Sequence, residues 1–327
     1  MKRVVCVLCI TVYSLTTFAQ TQEVGIGIGI SNFLGDLGKK EPNKRTYFGD
    51  LEGSLFRPAV SVFYKNHFNH WAGVKIAFTY GVFEGDDRLA RSEEFGDDAW
   101  FRNYRNLHFK SHVFELSAIV EANLMKYIPG SMRYRMAPFV FAGIAVLRFN
   151  PKAEYNGEWV SLQPLGTEGQ GMSQYPDRQK YARFQPTIPL GFGFKFNINT
   201  YLAMSIEFGH RFTFTDYLDD VSTNYVSEGE FINQYGLEKG TMAYEISRRS
   251  AELDPEESYG SITTPGEVRG NPAKNDSYLF STVSIAYKFA NKFSEYAYSR
   301  KRNSVRRNPV SRKRTSKYKR HIKNKTW

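Results

Sequence analysis

The sequence predicts an all-β protein: an eight-stranded antiparallel transmembrane outer-membrane β-barrel with short periplasmic turns, long external loops and a basic C-terminal tail. Two observations carry this. Eight segments alternate apolar and polar residues with a period of two, the mark of a strand with one apolar and one polar face. The connections between them run long, short, long, short, long, short, long, the loop asymmetry of small outer-membrane barrels. A soluble sandwich has no reason to segregate its loops by length.

Bulk composition hides this signal. The 327 residues are 16% aromatic with a mean hydropathy of −0.47, and no run reaches the ~18 apolar residues of a membrane helix. Barrel strands carry their hydrophobicity at every second position, so an average cancels it.

Met1–Ala19 reads as a secretory signal. Lys2 and Arg3 form its charged start, Val4–Tyr13 its apolar core, and Thr17-Phe18-Ala19 a small-x-small cleavage site. The residues before Cys9 lack the small side chain that lipoprotein processing needs. Cys6 and Cys9 are the two cysteines of the chain, so the mature protein is expected to hold no disulfide and no thiolate metal site.

The barrel is expected over residues 20–289. In Glu23–Ile30, Val24, Ile26, Ile28 and Ile30 share one face and Gly25, Gly27 and Gly29 the other; inward glycines suit a narrow barrel. Arg57–Tyr64 groups Val60, Val62 and Tyr64. Gly73–Val82 turns Val74, Ile76, Phe78, Tyr80 and Val82 outward. His112–Leu124 sets Phe114, Leu116, Ala118, Val120 and Leu124 against Glu115, Ser117, Glu121 and Asn123.

Pro138–Phe149 is apolar on both faces, and alternation does not fix its register. Thr187–Phe196 turns Ile188, Leu190, Phe192, Phe194 and Phe196 outward, with Gly191, Gly193 and Lys195 inward. Tyr201–Phe212 sets Leu202, Met204, Ile206 and Phe208 against Ser205, Glu207, Gly209 and Arg211. Ser281–Phe289 closes the wall with Val283, Ile285, Tyr287 and Phe289 outward.

The short connections are Lys65–His70, Met125–Arg135 and Asn197–Thr200. The long ones are Ser31–Phe56, Phe83–Lys110, Asn150–Pro186 and Thr213–Ser277. This places both ends of the mature chain in the periplasm. Eight strands leave an interior that side chains fill. Glu115, Glu121 and Glu207 there face Lys75, Lys195, Arg211 and Lys288 as partners, since an isolated buried charge is very costly. A packed polar network is expected, not a pore.

Chemistry is sparse. The glycines of Gln163–Gly171 mimic a phosphate cradle, but no P-loop Lys-Ser/Thr and no strand-to-helix context accompanies them. Asp216, Asp219 and Asp220 offer hard oxygen ligands for calcium, although their spacing is not an EF-hand's and clustered acids in a surface loop are ordinarily just solvated. His108 and His112 have helical metal-pair spacing in a segment that reads as strand, where four residues span ~13 Å. His67 and His70 fall in a turn, and His210 near a strand end. Nothing assembles these with a serine into a catalytic set. No cofactor, metal site or enzymatic activity is expected.

The segment 290–327 is expected to be a basic, disordered periplasmic tail. Lys292–Trp327 holds 14 Lys/Arg against one acid, a net of +13 in a chain totalling +11, which leaves the remainder at −2. Arg300, Lys301, Arg302, Arg306, Arg307, Arg312, Lys313 and Arg314 are its candidate contact residues. Behind a signal sequence and a barrel, nucleic acid is not the expected partner; an acidic periplasmic protein or anionic lipid headgroups fit better, and a merely solvated tail fits equally.

Several runs carry a resemblance: Ser31–Gly38 (SNFLGDLG), Arg57-Pro-Ala59, Phe149–Lys152 (FNPK), Val160–Gly171 (VSLQPLGTEGQG), Tyr175–Arg178 (YPDR) and Phe214–Ser222 (FTDYLDDVS). They resemble the PorG-like outer-membrane barrels of the Bacteroidetes, over most of the barrel but not the basic tail. The resemblance implies a non-enzymatic subunit of the type IX protein secretion machinery that anchors a periplasmic ring, built from a lipoprotein and its partner subunit, to the outer membrane. The alternatives are a general surface barrel, OmpA- or OmpX-like, for envelope stability or external ligand binding, and a lipid-modifying barrel enzyme.

Overall fold

The structure, a computed structural model, describes residues 21–38, 56–90, 95–256 and 259–289. The signal segment, the basic tail and its candidate contact residues lie outside the described residues. Eight long strands form the wall: β1 (Thr21–Leu34), β2 (Arg57–His67), β3 (Ala72–Asp86), β4 (His108–Asn123), β5 (Met136–Arg148), β8 (Phe184–Asn197), β9 (Leu202–Thr213) and β10 (Ser277–Phe289). Each pairs antiparallel with the next, and β10 returns to β1 over the register Gln22↔Phe289 to Leu34↔Ser277. The result is a closed eight-stranded up-and-down barrel with no free edge in its wall.

Wall strands of 11–16 residues meet or exceed the ~9–11 needed to cross a bilayer. Outside, an aliphatic band is left uncovered by protein: Ile26, Ile28, Val62, Leu116, Ile144, Leu190 and Ile285 are all exposed. Aromatic side chains flank it. Trp71, Tyr201, Tyr287 and Phe289 ring the short-turn end, and Phe184, Phe212 and Phe214 the other. A continuous apolar belt of this size between aromatic girdles is the outer face of a membrane-spanning barrel. No helix among the described residues is long and apolar enough to cross a membrane.

Alternation places the faces as expected, with corrections at the strand ends. β2 runs on to His67, so Lys65 and His67 are buried interior residues of a strand, not turn residues. The wall keeps pairing there because Thr21↔His67 and His67↔Gly73 extend both ladders. β4 begins at His108, four residues early, paired with Asp86. Val82 has outward parity but is buried where the wall meets the long-loop end. The open register of Pro138–Phe149 is settled by β4 and β8: Phe139, Phe141, Ala145 and Leu147 face in, and Val140, Ile144 and Val146 face out.

The long loops are folded. Loop two holds helix α1 (Asp98–Arg105), capped by the Asp97 carboxylate on the Trp100 N–H at 2.7 Å. Loop three carries a hairpin, β6 (Pro151–Tyr155) and β7 (Glu158–Ser161), which extends β4. Its two-residue turn, Asn156-Gly157, takes φ of 52° and 83°, the left-handed pair an Asn-Gly hairpin turn requires. Loop four contains α2 (Glu228–Tyr235) and α3 (Leu237–Ser247), with Ser227 and Glu230 forming a capping box. One apolar core runs from the barrel into the loops, through Phe33, Phe83, Phe109, Phe149, Leu165, Leu218, Phe231 and Ile246.

Candidate functional site

The barrel interior is filled. Glu121 receives Lys65 at 2.8 Å and Lys195 at 2.7 Å, with Lys75 at 3.9 Å. Lys75 also pairs with Glu207. Higher up, Glu115 accepts the Tyr278 hydroxyl at 2.6 Å and faces Arg211 at 3.4 Å. At the short-turn end His67 lies 3.2 Å from Glu23, and Lys288 donates to Asn197 at 2.5 Å. Phe139 covers the Lys195 ammonium at 4.3 Å. Two voids between these layers hold about 20 and 10 Å³, room for roughly one water each.

At the long-loop end the loops interlock into a cap. Glu168 in loop three is fully buried and accepts the Ser222 and Thr223 N–H groups, the Thr223 hydroxyl and Arg269, each at 2.8 Å. Arg269 also donates to the Asp220 carbonyl at 2.7 Å. In loop two, Arg105 forks onto Asp87 through Nε and Nη2 at 2.7 and 2.9 Å, while Nη2 also reaches the Asp36 carbonyl at 2.9 Å and Nη1 the Arg269 carbonyl at 2.5 Å. Four loops thus share two buried arginines, each with a bidentate or multiple set of charge-assisted bonds.

The three aspartates weighed as an ion site against a solvated surface cluster are not solvated. All are buried, and among the described residues no group of acids and histidines is placed to hold a metal. Asp219 accepts the Val221 N–H at 3.0 Å and the Leu37 N–H at 3.2 Å. Asp220, at φ 69°, accepts the Thr167 hydroxyl and, at 2.7 Å, that of Tyr181. Burial pushes the Asp220 carboxyl up to about 7 against the opposing pull of Arg269. Burial, with the charge of Asp36, pushes Asp219 up as well, and burial with Asp219 raises Asp276. Asp219 and Asp220 thus tie loop four to loops one and three.

The histidines are dispersed. His112 shares a 2.6 Å hydrogen bond with Tyr80 on the outer face, His108 accepts the Glu154 N–H at 3.2 Å, and His210 lies edge-on to Phe212. Among the described residues no serine–histidine–acid set forms with them.

Sequence reasoning missed Glu23, Lys65 and His67 in the interior, though continuing the inward parity of Ala59, Ser61 and Phe63 reaches Lys65 directly. It also missed Asp87, Arg105, Glu168 and Arg269, for which no local signal exists: Glu168 and Arg269 meet across 101 residues.

A domain family described as DUF6089, a domain of unknown function, matches residues 2–233. Among solved structures the chain is similar to the attachment invasion locus protein Ail of Yersinia pestis, at 10% identity over 82% of this chain and 98% of Ail, with a TM-score of 0.35. Neisserial surface protein A matches at 6% identity over 82% and 97%, with a TM-score of 0.35. OprG of Pseudomonas aeruginosa matches at 10% identity over 84% and 98%, with a TM-score of 0.33. Likeness at this level concerns architecture and says nothing of ligands. Among curated proteins none matches the chain.

Proposed function

The chain belongs to the DUF6089 family, and we propose that it is a non-enzymatic surface barrel of the outer membrane, closed to flow, whose folded loop cap is the working face. Its roles on this reading are envelope stability and binding of ligands from outside. One observation carries it: the interior is occupied by the charge layer of Glu121 and its lysines, while the folded mass of the protein stands at one end, built from all four long loops.

Loop length supports an orientation with the cap outside and the short turns, together with residues 290–327, in the periplasm. Cysteine labelling tests it, because Cys6 and Cys9 are the only native cysteines. Gly229→Cys, on exposed α2, should react with a membrane-impermeant maleimide on intact cells, and Met132→Cys in the β4–β5 turn should not. The opposite pattern would reverse the assignment. In planar bilayers the purified protein should show no steady conductance; an open channel would sink the closed-barrel reading.

A second reading is the anchoring subunit of type IX secretion. It is favoured by the PorG-like runs around Gln163–Gly171 and Phe214–Ser222, and by the +13 net charge of Lys292–Trp327, which suits an acidic periplasmic ring lipoprotein or its partner subunit. Gentle-detergent purification of the full chain and of a form ending after Phe289 separates the possibilities. Loss of a ring partner on truncation makes the tail the contact. Absence of any such partner from both forms, with cargo still exported by a deletion strain, leaves the surface barrel alone.

A further inference from the structure

A half-open cavity of about 430 Å³ lies in the cap between α1 and loop four, within the size range of small-molecule sites. Its basic side is Arg102, Arg105 and Arg269; Asp98, Phe101 and Glu267 also line it. Arg105 and Arg269 are buried and committed to Asp87 and Glu168. Arg102 is different. It donates to the carbonyl oxygens of Asp36 and Gly38, and no carboxylate among the described residues forms a salt bridge with it. Burial, and the Arg105 charge beside it, hold its pKa below the ordinary guanidinium value. A half-buried guanidinium whose hydrogen bonds go to carbonyl oxygens keeps its charge available to an anionic group.

Three acids also line the cavity: Asp36 is buried and accepts the Asn271 N–H at 2.5 Å, while the other two stand outward. Asp98 and Glu267 are exposed, so the basic floor has an acidic mouth. Asp98 and Arg102 are at i and i+4 on α1, one turn or roughly 6 Å apart. Such a pair would ordinarily close on itself, but here Arg102 turns inward to the loop-one carbonyls and leaves the two charges separated. A purely anionic ligand would meet repulsion at the mouth. A molecule with an anionic group and an amine a few ångströms apart would satisfy both ends, with the Phe101 ring as an apolar wall.

We infer that this cavity binds a small zwitterion, its phosphate or carboxylate over Arg102 and its ammonium between Asp98 and Glu267. The inference rests on the cap being the working face of a surface barrel. The chemistry is shared by phosphoethanolamine-type groups and by short amino acids, and the probes separate them.

The test is calorimetric titration of the purified full chain in detergent with O-phosphoethanolamine and with β-alanine. Inorganic phosphate and ethanolamine are the half-ligand controls. At least one zwitterion should bind about fivefold or more tighter than either half, and preference between the two identifies the anion. Arg102→Gln should lower that affinity about fivefold or more, and so should Glu267→Gln, an exposed change that leaves the fold intact. Equal binding of phosphate and O-phosphoethanolamine would overturn the inference, as would variants that bind like the parent, or no binding of either zwitterion at millimolar concentration. The maleimide labelling of Gly229→Cys judges the surface-barrel reading independently: a zwitterion bound by a cap that is not labelled from outside would refute that reading and keep the site.

Discussion

Glu168 and Arg269, 101 residues apart in sequence, meet at 2.8 Å in a fully buried ion pair that joins loop three to loop four. The pair sits in a cap where Asp87 with Arg105, and the buried Asp219 and Asp220, are also internally bonded. Loops bonded in this way should resist local opening, and the consequences can be measured.

Removing one member leaves the other buried and uncompensated. Glu168→Gln should therefore destabilise the cap by about 3–5 kcal/mol, while the wall, which has its own ladders, stays closed. Hydrogen exchange should show faster exchange through residues 160–175 and 218–226 with little change in β1–β5. Uniform loss of protection across the wall would contradict the separation.

Glu121 plays the corresponding part inside the barrel, under Lys65 and Lys195. Glu121→Ala should cost several kcal/mol, about 3–5 by the same logic, read as a lower urea midpoint for the protein in detergent. Combining it with Lys195→Met should recover part of that loss, since one orphaned charge is then removed. A double variant no better than the single one would mean the layer is held by Lys65 and Lys75 alone.

The cap should weaken as pH rises. Asp220 has its carboxyl raised from 3.8 to about 7 in the folded state by burial, so the folded cap binds a proton that the unfolded chain has already lost. Stability is full below the unfolded value and declines as pH rises towards 7, by on the order of 4 kcal/mol for a shift of this size. Asp219 and Asp276 shift in the same direction. Proteolysis of the loops should be slower at pH 5 than at pH 8, and Asp220→Asn should shrink the difference. A cap more resistant at pH 8 would contradict the sign.

The outward face is a lipid face. Ile144, 71% exposed on β5, becomes a test of depth: Ile144→Arg should destabilise the barrel in lipid vesicles by about 2–4 kcal/mol if it lies near the midplane. Lys126→Glu, in the exposed β4–β5 turn, should change little. Equal effects at the two sites would argue against a bilayer around the wall.

The alternation of Val24, Ile26, Ile28 and Ile30 with Gly25, Gly27 and Gly29, and its counterpart in Val283, Ile285, Tyr287 and Phe289, determined the wall by itself. A strand's facing depends only on a residue's parity, which is local information. Loop length likewise marked the two ends. Strand ends were less legible: Lys65 and His67 look like a polar turn because a barrel interior is polar too, so hydrophobicity stops distinguishing wall from connection.

The tertiary structure alone decided which charges meet. Glu121 gathers lysines from β2, β3 and β8 because closure sets the stagger of strands around the barrel, and no single strand carries that register. It alone decided the fate of Asp216, Asp219 and Asp220 as well. In sequence they are an acidic loop; in the folded chain they are buried by packing of loops one, three and four, and burial raises the carboxyls of Asp219 and Asp220 so that they hold protons a solvated acid would lose. Parity is written residue by residue, but desolvation is a property of everything packed around a residue, and here Thr167 and Leu37 arrive from 53 and 182 positions away.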